Sequence, residues 1–319
     1  MTKHKFSLRK IGQFFKTSFL AWKGKDPFKE SAVIAYYAIF SLPGLLLIVV
    51  TLAGYFFGAE AVSGHLSGEI SKAMGEETSE EIESIIANSA LSGKSAVATI
   101  IGVLTLAFGA TGVFAEFQRA LNNIWEVKTD VKKAGIMHTL RVRLFSLGLV
   151  VTIAFLLLVS LVVTAALSSV GEWASQSWPD ALMVLFNILN FIVALAIIGL
   201  LFALMFKVLP DAKIKWRHVW IGGLVTSLLF QLGKTGLAFY FGKADPASGY
   251  GAAGSVILIM LWVSYTSMIV LYGAEFTKAV AFREGAPAPT KTAVRDPKAH
   301  EMNKVPKEKG LIGKIFSTK

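Results

Sequence analysis

Apolar residues in this chain gather into six long runs, and charged or polar connections separate them. The runs cover Ala32–Phe57, Ser95–Phe114, Leu144–Val170, Ala181–Val208, Val219–Phe241 and Ala253–Val280. Each is long enough to cross a hydrocarbon core of about 30 Å at a helical rise of about 1.5 Å per residue. Inside lipid a backbone must satisfy its own hydrogen bonds, so runs of this length predict helices. The short alternating segments of a barrel do not occur. The expected fold class is therefore all-α: a polytopic membrane bundle of six transmembrane helices, with its membrane domain over 32–280.

The connections carry patterns of their own. Over 5–23, Leu8, Ile11, Phe15, Phe19 and Trp22 recur at helical spacing, with Lys5, Arg9, Lys16 and Lys23 elsewhere. This predicts an amphipathic helix within the N-terminal segment 1–31, lying on an anionic leaflet or packed on the bundle. The connection 58–94 holds seven Glu. Thr78 and Glu81 have capping-box spacing ahead of Ile82, Ile85 and Ile86, so a small external helical cap is expected there. The stretch 281–319 is basic and, from 284, rich in Pro, Lys and small polar residues, which predicts a disordered tail.

Charge then orients the runs. The N-terminal segment carries eight Lys and Arg, the second-to-third connection six, the fourth-to-fifth four and the C-terminal segment ten, together 28. The other three connections carry only Lys72, Lys94 and Lys243. Positive charge stays on the cytoplasmic side, so both termini are expected inside. The first apolar run is too long for a cleaved signal and reads as a retained anchor.

Composition narrows the chemistry. Mean hydropathy is +0.59, and charged residues make up 17% of the 319. No cysteine is present, which removes thiolate metal sites and thiol nucleophiles. The five histidines fall in loops and tails without metal-ligand spacing. Phosphate loops, nucleophile elbows and carboxylate clusters of the kind metal-dependent nucleases use do not occur. The expectation is a protein without cofactor or metal and without enzymatic activity. Its net charge of +11 serves anionic lipid headgroups rather than nucleic acid.

Ionisable residues inside the runs mark candidate sites, because a charge in hydrocarbon costs at least a few kcal/mol. Lys234 lies about 10 Å below the external end of the fifth run, with Gln231 one turn earlier. Asn187 and Asn190 in the fourth run fall at a similar depth, about 9–14 Å. Together they form a candidate outer cavity, the alternative being a snorkelling lysine beside bridging asparagines. Near the cytoplasmic ends, Glu275 and Arg119 have opposite sign and similar depth, with Glu116 and Asn122 nearby. They are expected to form an inner gate or a structural ion pair. Pro43 with Gly44 interrupts the first run and makes a candidate hinge or a plain kink. Gly109, Gly112, Gly222, Gly223, Gly249, Gly251 and Gly254 permit close helix approach, within the chain or in a homo-oligomer.

Some of these stretches also carry a resemblance. The run from Ala35 to Pro43 (Ala-Tyr-Tyr-Ala-Ile-Phe-Ser-Leu-Pro) is similar to the first-span motif of the YihY/BrkB family. So are Ala120-Leu121-Asn122-Asn123-Ile124-Trp125, Leu209-Pro210-Asp211, Trp216-Arg217-His218, Tyr250-Gly251-Ala252-Ala253-Gly254-Ser255, Leu261-Trp262-Val263 and Gly273-Ala274-Glu275-Phe276. In this order the motifs cover about residues 20–280. The resemblance implies a six-helix bacterial inner-membrane protein of a family formerly labelled ribonuclease BN, some members of which are linked to virulence and envelope integrity. Without a catalytic constellation, the nuclease label does not suit this chain. The expected function is transport or lipid translocation of an anionic lipid or solute in the envelope. The alternative is a scaffold or assembly factor for an envelope complex.

Overall fold

The computed structural model describes residues 8–91, 112–130, 171, 180–244, 246–283, 285–290 and 293–296. Most of them are helical. Helix α1 (Leu8–Lys23) leads into α2 (Pro27–Phe57), followed by α3 (Ala59–Met74) and α4 (Glu76–Leu91). A helical segment over 112–124 runs into strand β1 (Val127–Thr129). Three long helices follow: α5 (Asp180–Val208), α6 (Trp216–Ala244) and α7 (Gly254–Phe282), before strand β2 (Ala293–Arg295).

Leu182–Val208, Trp216–Ala244 and Gly254–Phe282 are long and apolar enough to cross a membrane. Their ends fall within three residues of the last three apolar runs. The second and third runs lie almost wholly outside the described residues, as does Gly109.

Helix α7 is the hub, with α1, α2, α4 and α6 packed on it and α5 packed on α6. Glycine sets the two closest crossings. A Cβ on Gly222 of α6 would overlap Thr277 of α7, and one on Gly273 of α7 would overlap Thr226 of α6. Each threonine returns its hydroxyl to its own helix, Thr226 to the Gly222 carbonyl and Thr277 to the Gly273 carbonyl, both at 2.7 Å. The neighbouring Gly223 faces Gly199 and Ala203 of α5. A small residue on each face of one turn thus lets α6 lie against two partners at once. Gly112 meets the Tyr37 ring and Gly254 meets Ala247, whereas Gly249 faces open space.

The N-terminal helix takes the packed alternative. Phe15 stacks on Phe276 at 4.9 Å and Trp22 meets Tyr272 edge-on at 6.2 Å. Trp22 Nε1 donates to the Met268 carbonyl at 3.1 Å. Phe19 packs on Trp22 at 5.4 Å but stays half exposed, and Leu20 faces outward.

The chain breaks between α1 and α2. Gly24 ends the first helix, Asp26 adopts a left-handed conformation (φ 47°), and Pro27 opens the second. By contrast, α2 passes unbroken through the candidate hinge Pro43–Gly44. The interruption of this arm therefore sits where three poor helix formers meet, not at the single proline.

Two further expectations change. The described part of the connection 58–94 forms two helices, and Gly75 (φ +95°) makes the corner between them. Thr78 therefore lies inside α4, not at its cap, and its hydroxyl bonds back to the Met74 carbonyl at 3.3 Å. Ile82 and Ile86 are buried as their spacing requires. The start of the segment read as a disordered tail is ordered. Lys213 N donates to Ala288 O at 2.8 Å, Thr290 N to Asp211 O at 2.9 Å, and β2 pairs antiparallel with β1. Residues 285–290 and 293–296 thus strap the connection 209–214 to β1; from 297 onward the tail lies outside the described residues.

Candidate functional site

The bundle has a basic end, where α7 finishes beside the connection 209–214, and an acidic end, where α3 and α4 pack. The basic end holds the largest core cluster, including Leu121, Trp125, Phe206, Ile214 and Val219. Burying a large apolar side chain contributes about 1.5–3 kcal/mol each. That core walls off a group of charges.

Glu275 is buried, and its partner is Lys25, with Nζ 2.9 Å from Oε1. Lys25 aims its N–H donors at the Asn123 and Ile124 carbonyls, at 2.9 and 3.1 Å. One turn further along α7, Lys278 Nζ lies 2.7 Å from Glu126 Oε1, both side chains buried. Glu126 follows the 112–124 segment with a left-handed backbone (φ 56°), which turns its carboxylate toward α7. The four groups form a neutral quartet that ties the α1–α2 break, the end of the 112–124 segment and α7 together. Burial lowers the pKa of Lys25; the Glu275 carboxylate opposes that shift and Lys278 adds to it.

The expected pairing of Glu275 with Arg119 is corrected. Arg119 instead pairs with Glu30 Oε2 at 2.7 Å and Glu116 Oε2 at 2.6 Å. Its guanidinium is half exposed. Partial burial pulls its pKa down, but the two carboxylates outweigh this and raise it overall. Depth alone put Glu275 and Arg119 at one level. The azimuth of each helix, invisible in sequence, assigns Glu275 to the break after α1 instead.

Asn122 is buried and has a different task. Its amide donates to Asp211 Oδ2 at 3.0 Å, and its oxygen accepts from Asp211 N at 2.7 Å. Thr129 Oγ1 adds a bond to Asp211 Oδ2 at 3.3 Å. Asn122 therefore anchors the connection 209–214. Sequence reasoning missed Lys25, Glu126 and Lys278 as a group. The signal available was a lysine three residues after Glu275, on the same face of an otherwise apolar helix.

The other candidate set lies in α5 and α6. Lys234 and Gln231 are half-buried, Asn190 is half-buried and Asn187 is exposed. Gly223 meets Gly199 and Ala203, and α5 runs antiparallel to α6. Lys234 is eleven residues past Gly223, and residues 188–192 are eleven before that contact, so Asn190 is level with Lys234. Lys234 sits ten residues before the end of α6, about 15 Å along its axis.

A cavity of about 340 Å³ opens at the acidic end, lined by Lys72, Gly75 and Glu76 on one side and Ala238, Phe241 and Leu258 on the other. It does not include the four candidate residues. Ala238 and Phe241 are four and seven residues beyond Lys234, so they share its face of α6. Among the described residues, no group of His, Cys, Asp and Glu is arranged to hold a metal ion.

Three helices long and apolar enough to cross a membrane mark an integral membrane protein. The family model described as virulence factor BrkB matches residues 19–297, and the chain belongs to that family. A UPF0761 membrane protein of Alteromonas mediterranea is 26% identical over 278 residues, 86% of this chain and 87% of the relative. One from Pseudoalteromonas atlantica is 24% identical over 249 residues, 77% of this chain and 79% of the relative. One from Verminephrobacter eiseniae is 31% identical over 180 residues, 56% of this chain but only 40% of the relative. The chain thus spans well under half of some relatives and most of others. No solved structure matches it.

Proposed function

We propose that the protein is a transporter or lipid translocase that handles an anionic lipid headgroup or anionic solute in the cell envelope. The observation that carries this reading is the half-buried Lys234 inside a candidate membrane-spanning helix. A cation at that depth is costly, and its usual use is to receive a charged cargo. The face of α6 that bears Lys234 continues through Ala238 and Phe241 into the 340 Å³ cavity, with Lys72 at the rim. Gln231, one turn deeper, and Asn190, on α5 at the same level, add hydrogen-bonding groups along the path; Asn187 stands at its exposed edge. Energy coupling by a bound cofactor is not part of this reading.

The same proposal sets the protein in the inner membrane with six spans, the basic end and both termini in the cytoplasm, and α3–α4 as an external cap. The chain has no native cysteine, so Lys213→Cys and Lys243→Cys test that arrangement. Impermeant maleimide on intact spheroplasts labels position 243 alone; the reverse pattern inverts the topology. The function itself is tested in proteoliposomes by leaflet exchange of a fluorescent anionic lipid. Wild type is expected to exchange it and Lys234→Ala to lose most of that rate. Exchange no faster than in empty liposomes, with and without a proton gradient, overturns lipid movement.

A second reading rests on one observation. Glu76, Glu80 and Glu81 are all exposed on α4. Such a surface suits a basic partner, and a scaffold or assembly factor would use it. In that case Lys234→Ala leaves function intact, and neutralising the α4 glutamates abolishes it.

A further inference from the structure

Lys25 is held as a bound ion is held. Its ammonium meets three oxygens: one from the Glu275 carboxylate at 2.9 Å, and the Asn123 and Ile124 carbonyls at 2.9 and 3.1 Å. The two carbonyls close the 112–124 helical segment, where peptide dipoles leave partial negative charge. Carbonyls at interrupted helix ends are the ligands that membrane proteins use for alkali ions. The separations exceed the roughly 2.0–2.1 Å of magnesium and the roughly 2.3–2.6 Å of calcium. They suit a large monovalent ion of ammonium size.

Charge balance points the same way. The quartet of Lys25, Glu275, Lys278 and Glu126 is neutral only while Lys25 contributes its charge. Withdrawing that side chain leaves a net negative, enclosed group with two carbonyl oxygens turned toward it. The cavity at this point is about 10 Å³ with Lys25 in place, room for about one water beside the ion. Lys25 also stands on the break between α1 and α2, the one interruption in that arm, so its side chain can leave without unwinding a helix.

We propose that Glu275 and the carbonyls of Asn123 and Ile124 form a potassium-type monovalent cation site, which Lys25 fills as a tethered occupant. Lysine and ion then compete. An ion in the site frees the α1–α2 corner from α7, and Lys25 in the site holds it down.

The test uses the full-length protein in detergent and rubidium-86 as the potassium probe. Lys25→Ala is expected to bind one rubidium ion per chain, displaced by potassium but not by choline. Wild type is expected to bind at least tenfold more weakly, and Glu275→Gln added to Lys25→Ala to abolish binding. Lys25→Met keeps the apolar stem, and it decides the matter if Lys25→Ala does not elute as a folded monodisperse species. A folded variant with no saturable rubidium binding overturns the site. Binding that survives Glu275→Gln overturns the ligand set, and equal affinity in wild type overturns the competition.

Discussion

At the basic end, three buried ionised side chains and the half-buried Lys25, from three stretches of chain, lie in pairs, and a strap from beyond α7 closes over the neighbouring connection. At the acidic end, Lys72 and Glu76 stand exposed at the mouth of a cavity of about 340 Å³. The first arrangement uses charge to fix elements against each other, because a buried ion that loses its partner has nowhere to find water. The second leaves charge facing solvent. The smaller core cluster at the acidic end, which includes Val62, Ile82 and Phe241, supports the cavity wall without filling it.

The comparison breaks most visibly if one half of a buried pair is removed. Glu126→Ala leaves Lys278 uncompensated and is expected to cost about 3–5 kcal/mol, read as thermal unfolding in detergent. Glu126→Leu with Lys278→Met should recover most of that loss; no recovery would mean that the pair is not what joins the 112–124 segment to α7. Asn122→Ala removes the amide bond to a charged Asp211 and the acceptor for its backbone N–H. The expected loss is about 1.5–3 kcal/mol, with faster proteolysis in the connection 209–214.

A smaller effect comes from Lys25 itself. Its folded pKa lies below the usual lysine value, because burial outweighs Glu275 with Lys278 nearby and Glu126 opposing. Between that lowered pKa and about 10.4, the unfolded chain binds more protons than the folded one. Stability relative to Lys25→Met should therefore rise with pH through that window and stay flat below it. A falling difference would mean that Glu275 dominates over burial.

The smallest stability change is expected at the acidic end. Lys72→Ala should alter unfolding by no more than about 0.5 kcal/mol, yet slow exchange of an anionic lipid several-fold. Unchanged exchange would separate the cavity from the route along α6.

The helices were legible in the sequence where composition alone decides them. Ala181–Val208, Val219–Phe241 and Ala253–Val280 come within three residues of the observed spans, since a window of apolar residues needs no partner to announce itself. The levels of Glu275, Arg119 and Asn122 were legible too, because rise per residue is constant. Their partners were not. Asp211 is 89 residues from Asn122 and Lys25 is 250 from Glu275, and rotation of one helix about its axis decides who meets whom. The ordered strap of 285–290 and 293–296 was hidden for a related reason: its composition is that of a loose tail, and its order comes from backbone bonds to 211, 213 and β1.

The exchange of glycine and threonine between α6 and α7 has a mechanical consequence. Each helix carries one tooth and one socket, Thr226 into Gly273 and Thr277 into Gly222, so the two mesh like gear wheels locked in a single position. Sliding or rolling either one would drive a hydroxyl into backbone. The pair therefore behaves as one shaft, and among the described residues the parts hung around it are the arm before Pro27 and the helical pair that corners at Gly75.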